Sequence, residues 1–211
     1  MAVETGVFRG QRADGIDAMD RLEILVEEPS IAEVLKTILP KVLPDGWAVG
    51  ENCFVRPHEG KQDLRASIPR KMRVAGNKDY ETGFIIVHDQ DANDCRRLKA
   101  ELVELCADAQ IAGFPPFKVR IVCRELESWY WGDMDAIEHV FPRFRAAKYR
   151  NKKQFRQPDA CVSPKHELKR IVGEYPQIAT ARDLAAHMDV LANKSQSFRC
   201  FIACVKQMLG N

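Results

Sequence analysis

The hydrophobic positions of this chain fall into two kinds of run. The first kind is short and almost unbroken: Leu22-Glu23-Ile24-Leu25-Val26, the weaker Asn52-Cys53-Phe54-Val55-Arg56, Phe84-Ile85-Ile86-Val87, and Phe117 to Cys123. Apolar runs of this length, rich in β-branched and aromatic residues, read as strands buried on both faces, as inside a parallel sheet. The second kind recurs every three or four residues. Ile31, Val34, Leu35, Ile38, Leu39, Val42 and Leu43 share one helical face. Ser30 and Glu33 are placed to form a capping box before it, and Pro40 should kink its last turn. Leu64 to Met72 reads as a helix interrupted by Pro69. A further helix runs from about Ala92 to Ala109 with Leu98, Leu102, Leu105 and Cys106, and Gly113-Phe114-Pro115-Pro116 breaks it.

Beyond residue 130 the strand pattern stops. Asp133 to Phe141, Pro164 to Val172, Thr180 to Leu191 and Ser195 to Leu209 all read as helices, the last burying Phe198, Phe201, Ile202, Val205 and Leu209. Strands alternating with helices predict an α/β fold with a four-stranded, mainly parallel sheet flanked by helices. The expected organisation is a loose arm over residues 1–20, an α/β domain over 21–132, and a helical extension over 133–211 packed on the same core.

Composition narrows the class. The chain has 211 residues, 45% hydrophobic and 29% charged, and a net charge of +2, so any affinity for nucleic acid must come from a local patch. No apolar run approaches the roughly 18 residues of a membrane helix, and the first twenty residues lack a secretory signal. Seven cysteines, an odd number without a CxxC pair, point to a reducing cytoplasm rather than a disulfide scaffold.

Chemistry concentrates where strands end. Phe84-Ile85-Ile86-Val87 runs into His88-Asp89-Gln90-Asp91, and open parallel sheets place ligands beyond the carboxyl ends of their strands. If the chain stays extended there, Asp89 and Asp91 point to the same side. Two hard oxygen ligands suit Mg²⁺ or Mn²⁺. The competing reading is a polar turn capping the next helix, and this stretch alone does not separate the two. The other strand ends add Glu27 or Glu28 and Glu125 or Glu127. Carboxylates gathered from three strands would repel one another unless a cation neutralised them, so a divalent metal is the economical account.

These residues resemble the Toprim domain, the metal-binding module of topoisomerases, primases and several nucleases. Val26-Glu27-Glu28-Pro29-Ser30 stands in for its glutamate motif, with Glu28 where glycine is usual and Glu27 as the functional acid, and Asp89-Gln90-Asp91 for its paired aspartates. From about residue 22 the chain resembles more closely the short bacterial Toprim-like proteins of domain-of-unknown-function family 4276. The shared features are that glutamate stretch, His58-x-Gly60-Lys61-x-Asp63-Leu64, Asp89-Gln90-Asp91, Glu125-Leu126-Glu127-Ser128-Trp129, Pro164-Lys165 and Ser197-Phe198. Members are similar to the Toprim part of the overcoming-lysogenization-defect nucleases and often lie beside ATPase genes. The resemblance implies a Toprim-like fold and a role in phage defence.

The resulting expectation is a Mg²⁺-dependent (or Mn²⁺-dependent) phosphodiesterase, a nuclease acting on DNA or RNA. Glu27 would serve as general base or second ligand, Asp89 and Asp91 would hold the metal, Glu125 and Glu127 would complete or orient the shell, and Lys61 would bring a cation. The alternative is a non-catalytic partner or regulatory subunit of an ATPase that keeps the acidic pocket for binding. Self-association as a homodimer stays open, and no membrane partner is expected. His58, Gly60 and Lys61 read equally as parts of the site or as a polar turn with glycine at positive φ. Lys165 could touch a phosphate. His88 should point to the face opposite Asp89, away from the chemistry. Residues 143–156 carry seven cations, among them Lys148, Arg150, Lys152 and Lys153, and no acid, with Phe144, Tyr149 and Phe155 interleaved. Such a run can neutralise phosphates and stack on bases, or be a solvated face whose aromatics anchor it to the core. Trp129, Tyr130 and Trp131 read as packing residues.

Overall fold

A computed structural model describes residues 19–78 and 80–210. The loose arm expected at the amino end lies outside these residues except at its last two. There Asp20 pairs with Glu81, its backbone N–H donating to the Glu81 carbonyl at 2.9 Å.

The four apolar runs form strands β1 (Arg21–Val26), β2 (Cys53–Pro57), β3 (Thr82–Asp89) and β4 (Phe117–Val122). All pairings are parallel, in the order β2-β1-β3-β4. β3 is buried at every position, as its unbroken apolar run requires. Because β1 and β3 are neighbours, Val26 sits in register with Val87, so Glu27, just past β1, comes beside His88 and Asp89 at the end of β3. That pairing positions the site.

Helices cover both faces. On one, α2 (Lys61–Gly76) and α3 (Cys95–Ala107) bury Leu64, Ile68, Met72, Leu98, Leu102 and Cys106 against Leu25, Phe84 and Ile86. On the other, α1 (Pro29–Ile38) packs with the carboxyl-terminal helices: α4 (Glu127–Trp131), α5 (Met134–Val140), α6 (Ala146–Tyr149), α7 (Pro164–Val172), α8 (Gln177–His187) and α9 (Gln196–Met208). Residues beyond 132 thus share one apolar cluster with β1 and β3. Trp129 and Trp131 are its largest side chains. Trp129 donates to Ser197 Oγ at 3.0 Å and meets Phe198 edge-on at 5.2 Å, while Trp131 stacks on Phe155 at 4.0 Å. Trp129, Tyr130 and Trp131 all pack in this cluster, as expected, and Tyr130 also lines a cavity at the end of the sheet.

Three local expectations are corrected. No capping box forms at α1: Pro29 occupies the first helical position with extended Glu28 before it, and Glu33 pairs with Arg182 and Lys36 instead. Pro69 does not interrupt α2, which runs unbroken for 16 residues around it, since buried Leu64, Ile68 and Met72 hold both halves to the sheet. α8 starts at Gln177 rather than Thr180, because the Pro176 carbonyl accepts the Thr180 N–H at 2.9 Å and opens the helix three residues earlier. Pro40 behaves as expected, ending α1 in a short 3-10 turn, Leu39–Lys41.

Candidate functional site

A pocket of about 40 Å³ opens at the carboxyl end of the sheet. Its charged lining comprises Glu28 after β1, Asp89 at the end of β3 and Asp91 beyond it, Glu125 and Glu127 after β4, and Lys165 at the start of α7. Tyr130, Tyr175 and Gln177 close it. Acids from three separate strand ends therefore do line one cavity.

Asp89 is its buried centre, 7% exposed. Its Oδ1 has no hydrogen-bond partner among the described residues. Burial, and then the charges of Glu27, Glu28, Glu127 and Asp91, hold its carboxyl well above the usual carboxylate range. Asp91 reaches the same pocket by a route other than the extended one expected. Its φ is +51°, a left-handed conformation open to aspartate, and its N–H donates to the Arg124 carbonyl at 2.8 Å. Arg124 is itself left-handed, with φ +63°. Burial and Glu27 raise the Asp91 carboxyl, and the cations Lys61, His88 and Lys165 oppose the rise. Lys61, at the exposed start of α2, is thus a neighbour of Asp91.

Glu27 and Glu28 divide the work that the sequence assigned to one of them. Glu28 faces the pocket, whereas Glu27 is buried beside it. Glu27 Oε2 accepts the Asp89 N–H at 3.2 Å and lies 2.9 Å from His88 Nδ1. His88 is 1% exposed, and its Nδ1 also lies 2.6 Å from the Asp89 carbonyl. Two acceptors at one ring nitrogen require that Nδ1 carry the proton. Burial opposes a charged His88 ring most strongly, yet the Glu27 carboxylate and the Asp89 carbonyl leave its pKa raised. The expectation that His88 points away from the chemistry is therefore corrected: it orients Glu27. A ring nitrogen three bonds from Cα can reach laterally to the next strand's end, which alternation along one strand does not reveal.

Glu125 and Glu127 are also engaged. Glu125 Oε2 accepts the backbone N–H of Lys165 at 3.1 Å, tying β4's end to the start of α7. Glu127 accepts from the Tyr175 hydroxyl at 2.8 Å; burial raises its carboxyl, while Tyr175 and Lys165 oppose that rise. Tyr130 and Tyr175 carried no sequence signal for the site beyond being aromatic.

His58 is an anchor rather than a free acid–base group. Its Nδ1 lies 2.9 Å from the Val26 carbonyl and its Nε2 2.6 Å from Ser67 Oγ, so both ring nitrogens are occupied. Gly60 takes φ +91°, as a turn glycine should, and donates to the Glu27 carbonyl at 3.0 Å.

A second, wider groove of about 600 Å³ leaves the acidic pocket on the β4 side, sharing Asp91, Glu125 and Lys165 with it. Arg124, beyond β4, and His166 and Lys169, both on α7, line it; they carry no shared signal in the sequence. The basic run is placed elsewhere. Lys148, Arg150, Lys152 and Lys153 are exposed, and none lines the acidic pocket. Arg150 pairs with Asp135 at 2.5 Å and Lys152 sits over the Tyr149 ring. Its aromatics are not available to stack on bases: Phe144 and Phe155 are buried around Trp131, and Tyr149 stacks on Phe144 at 4.9 Å. The anchoring alternative holds for them.

Among the described residues no three His, Cys, Asp or Glu side chains converge closely enough to enclose a metal ion. A closed cage is therefore not the fit; an ion held here would sit in an open site, since Mg²⁺ keeps several waters and binds through one or two carboxylates. The orphaned Asp89 oxygen and Asp91, which lines the same small cavity, are the carboxylates that could serve such an ion.

No helix among the described residues is long and apolar enough to cross a membrane. The fold is similar to the C-terminal region of the Xanthomonas campestris pv. campestris OLD protein, with a TM-score of 0.52 and 13% identity, covering 90% of this chain and 96% of that one. At that identity the likeness speaks for the fold. Comparison with curated proteins gives no significant match. The model of the family described as "Domain of unknown function (DUF4276)" matches residues 26–208, and the chain, matched over most of its length, belongs to that family.

Proposed function

We propose that this protein is a Mg²⁺- or Mn²⁺-dependent phosphodiesterase acting on nucleic acid. One observation carries the reading: Asp89, buried and with an unpartnered oxygen, lines a pocket shared with Asp91, Glu28, Glu125 and Glu127. An isolated buried carboxylate is costly, and it persists where a cation completes it. Asp89 and Asp91 would hold the ion, with waters completing its shell. When bound, it would polarise a phosphoryl oxygen and lower the pKa of its water.

The chain's own groups supply the rest. Glu27, fixed by His88 and the Asp89 N–H, sets a carboxyl group beside the pocket and is the candidate general base or second ligand. Lys61 and Lys165 offset the acids, so a phosphodiester can approach without meeting an unrelieved negative field. Arg124, His166 and Lys169 offer the adjoining groove to the phosphates that flank the one attacked. A function in phage defence beside an ATPase belongs to the same proposal.

The test is cleavage of single- and double-stranded DNA and RNA with Mg²⁺ or Mn²⁺, with and without a neighbouring ATPase, for the wild type and Asp89→Asn. Metal-dependent cleavage lost in the variant is the expected result. A protein that binds and cuts none of these substrates, but forms a stable complex with the ATPase, would be a regulatory subunit instead.

A further inference from the structure

The buried side chains of β1 are apolar with one exception, Glu23, which is 8% exposed. Arg21 Nε and Arg56 Nε donate to it at 2.8 and 2.9 Å. The same two guanidinium groups lie over the Phe54 ring, 3.9 and 4.6 Å from its centroid. Glu23 is buried but the two arginines are half-exposed, and an ion cluster of that kind adds little stability over apolar residues of similar volume. Packing therefore gives no reason for a charged floor on this face of the sheet.

That floor belongs to a cavity of about 430 Å³ between the starts of the strands and the carboxyl-terminal half of α2. Arg70, Lys71 and Lys78 of the α2 side also line it, and their side chains have no ion-pair or hydrogen-bond partner among the described residues. Thr82, 4% exposed, lines it too, and its buried Oγ1 is unpartnered among the described residues. The partial negative charge at a helix carboxyl end attracts cations, but that effect needs no cavity and leaves the Thr82 hydroxyl unexplained. Val74 and Tyr80 are exposed at the rim. Among the described residues, five cations against one acid, an orphaned hydroxyl and an apolar rim form a concavity in the usual size range of small-ligand sites.

We propose that this cavity binds a phosphate ester bearing a flat or apolar group, a nucleotide in size. Arg70, Lys71 and Lys78 take the phosphate, Thr82 Oγ1 completes a hydrogen bond to it, and Val74 and Tyr80 cover the remainder. Arg21 and Arg56, held in place by Glu23, present a fixed positive wall. The site is separate from the acidic pocket: Thr82 and Asp89 are the two ends of β3, roughly 23 Å apart at the rise of a parallel strand. The ester can come from a free nucleotide or from a nucleotide within a polynucleotide.

The experiment is calorimetric titration of the full-length protein in EDTA with 5′-AMP, adenosine, inorganic phosphate and a short single-stranded oligodeoxynucleotide. AMP should bind more tightly than phosphate, and adenosine should not bind. The double substitution Arg70→Ala with Lys71→Ala should weaken AMP by roughly tenfold or more, and Thr82→Val by several-fold. Melting curves without ligand show whether each variant is folded, and Lys78→Ala, at an exposed position, serves as a further variant should Thr82→Val unfold. Asp89→Asn should bind AMP like the wild type, so loss of the phosphodiesterase reading leaves this one standing. An oligonucleotide that binds and is displaced by AMP identifies the polynucleotide source; AMP binding alone identifies the free nucleotide. The inference is overturned if neither AMP nor the oligonucleotide binds. It is equally overturned if phosphate binds as tightly as AMP, or if the substitutions leave affinity unchanged.

Discussion

Replacing Asp89 with asparagine separates a metal ligand from a structural cap. The side chain is 7% exposed, its Oδ1 is unpartnered, and Glu27, Glu28, Glu127 and Asp91 add negative charge around it. Without metal, asparagine removes one buried charge in near-isosteric form. A buried polar group without a partner costs about 1–3 kcal/mol when neutral and more when charged; the amide keeps the neutral cost and sheds the excess, which among four like charges should bring Asp89→Asn a gain of about 1–3 kcal/mol. That corresponds to a rise in Tm of roughly 2–12 °C for a chain of this size. The pH dependence follows from the direction of the shift. A carboxyl raised in the folded state holds its proton there after the unfolded chain has released it. Wild-type stability therefore falls as pH rises from the unfolded value, about 3.9, through the raised folded one. The advantage of the variant should accordingly be full above that window and vanish below it. Saturating Mn²⁺ at a hundred times its Kd should stabilise the wild type by about 2.7 kcal/mol and the variant scarcely at all. The assay is thermal melting by circular dichroism in EDTA and in Mn²⁺ from pH 5 to 9. A variant less stable without metal at every pH, with its Mn²⁺ response intact, would refute the reasoning and leave Asp89 as a turn residue.

His88→Ala should cost about 3–5 kcal/mol in urea unfolding, because it strands a buried Glu27 carboxylate; a loss below about 1 kcal/mol would show that Glu27 does not depend on it. Trp131→Ala should cost about 3–5 kcal/mol and loosen residues 144–158, measured by hydrogen exchange, since Phe155 and the Pro164 carbonyl both rest on that ring. Changing Lys148, Arg150, Lys152 and Lys153 together to alanine should weaken polynucleotide binding and flatten its salt dependence by about 0.9 in slope for each duplex phosphate that is no longer neutralised. Arg124→Ala with Lys169→Ala should weaken it more, because those two line the groove that leads to the acids; anisotropy titrations over a range of salt would show the reverse ranking if the groove carries no strand. Burial pushes the Cys53 and Cys106 thiols up to about 12, so a thiol reagent at pH 8 should label exposed Cys200 long before either of them.

Much of the architecture was legible because it depends on local pattern. Unbroken apolar runs such as Phe84 to Val87 can be satisfied only between two layers, so four of them separated by helical periods point to a parallel sheet with helices on both sides. The acids at three strand ends were legible for the same reason: parallel strands deliver their carboxyl ends to one edge. What the sequence left undecided depends on contacts between segments far apart in the chain. Whether Glu27 or Glu28 faces the pocket is settled by His88 and the Asp89 N–H, which become neighbours only when β1 pairs with β3. Asp91 reaches the pocket because left-handed backbone at Asp91 and Arg124 lets two strand ends clasp each other, a conformation that residue type permits without dictating. The aromatics of the basic run turned inward because Trp131, a dozen or more residues earlier, offered a surface to bury them, and burial outweighs the pull of neighbouring charges. Periodicity along one segment records which side of that segment is buried; it carries no record of which distant side chain will lie opposite, and that is what only the folded chain decides.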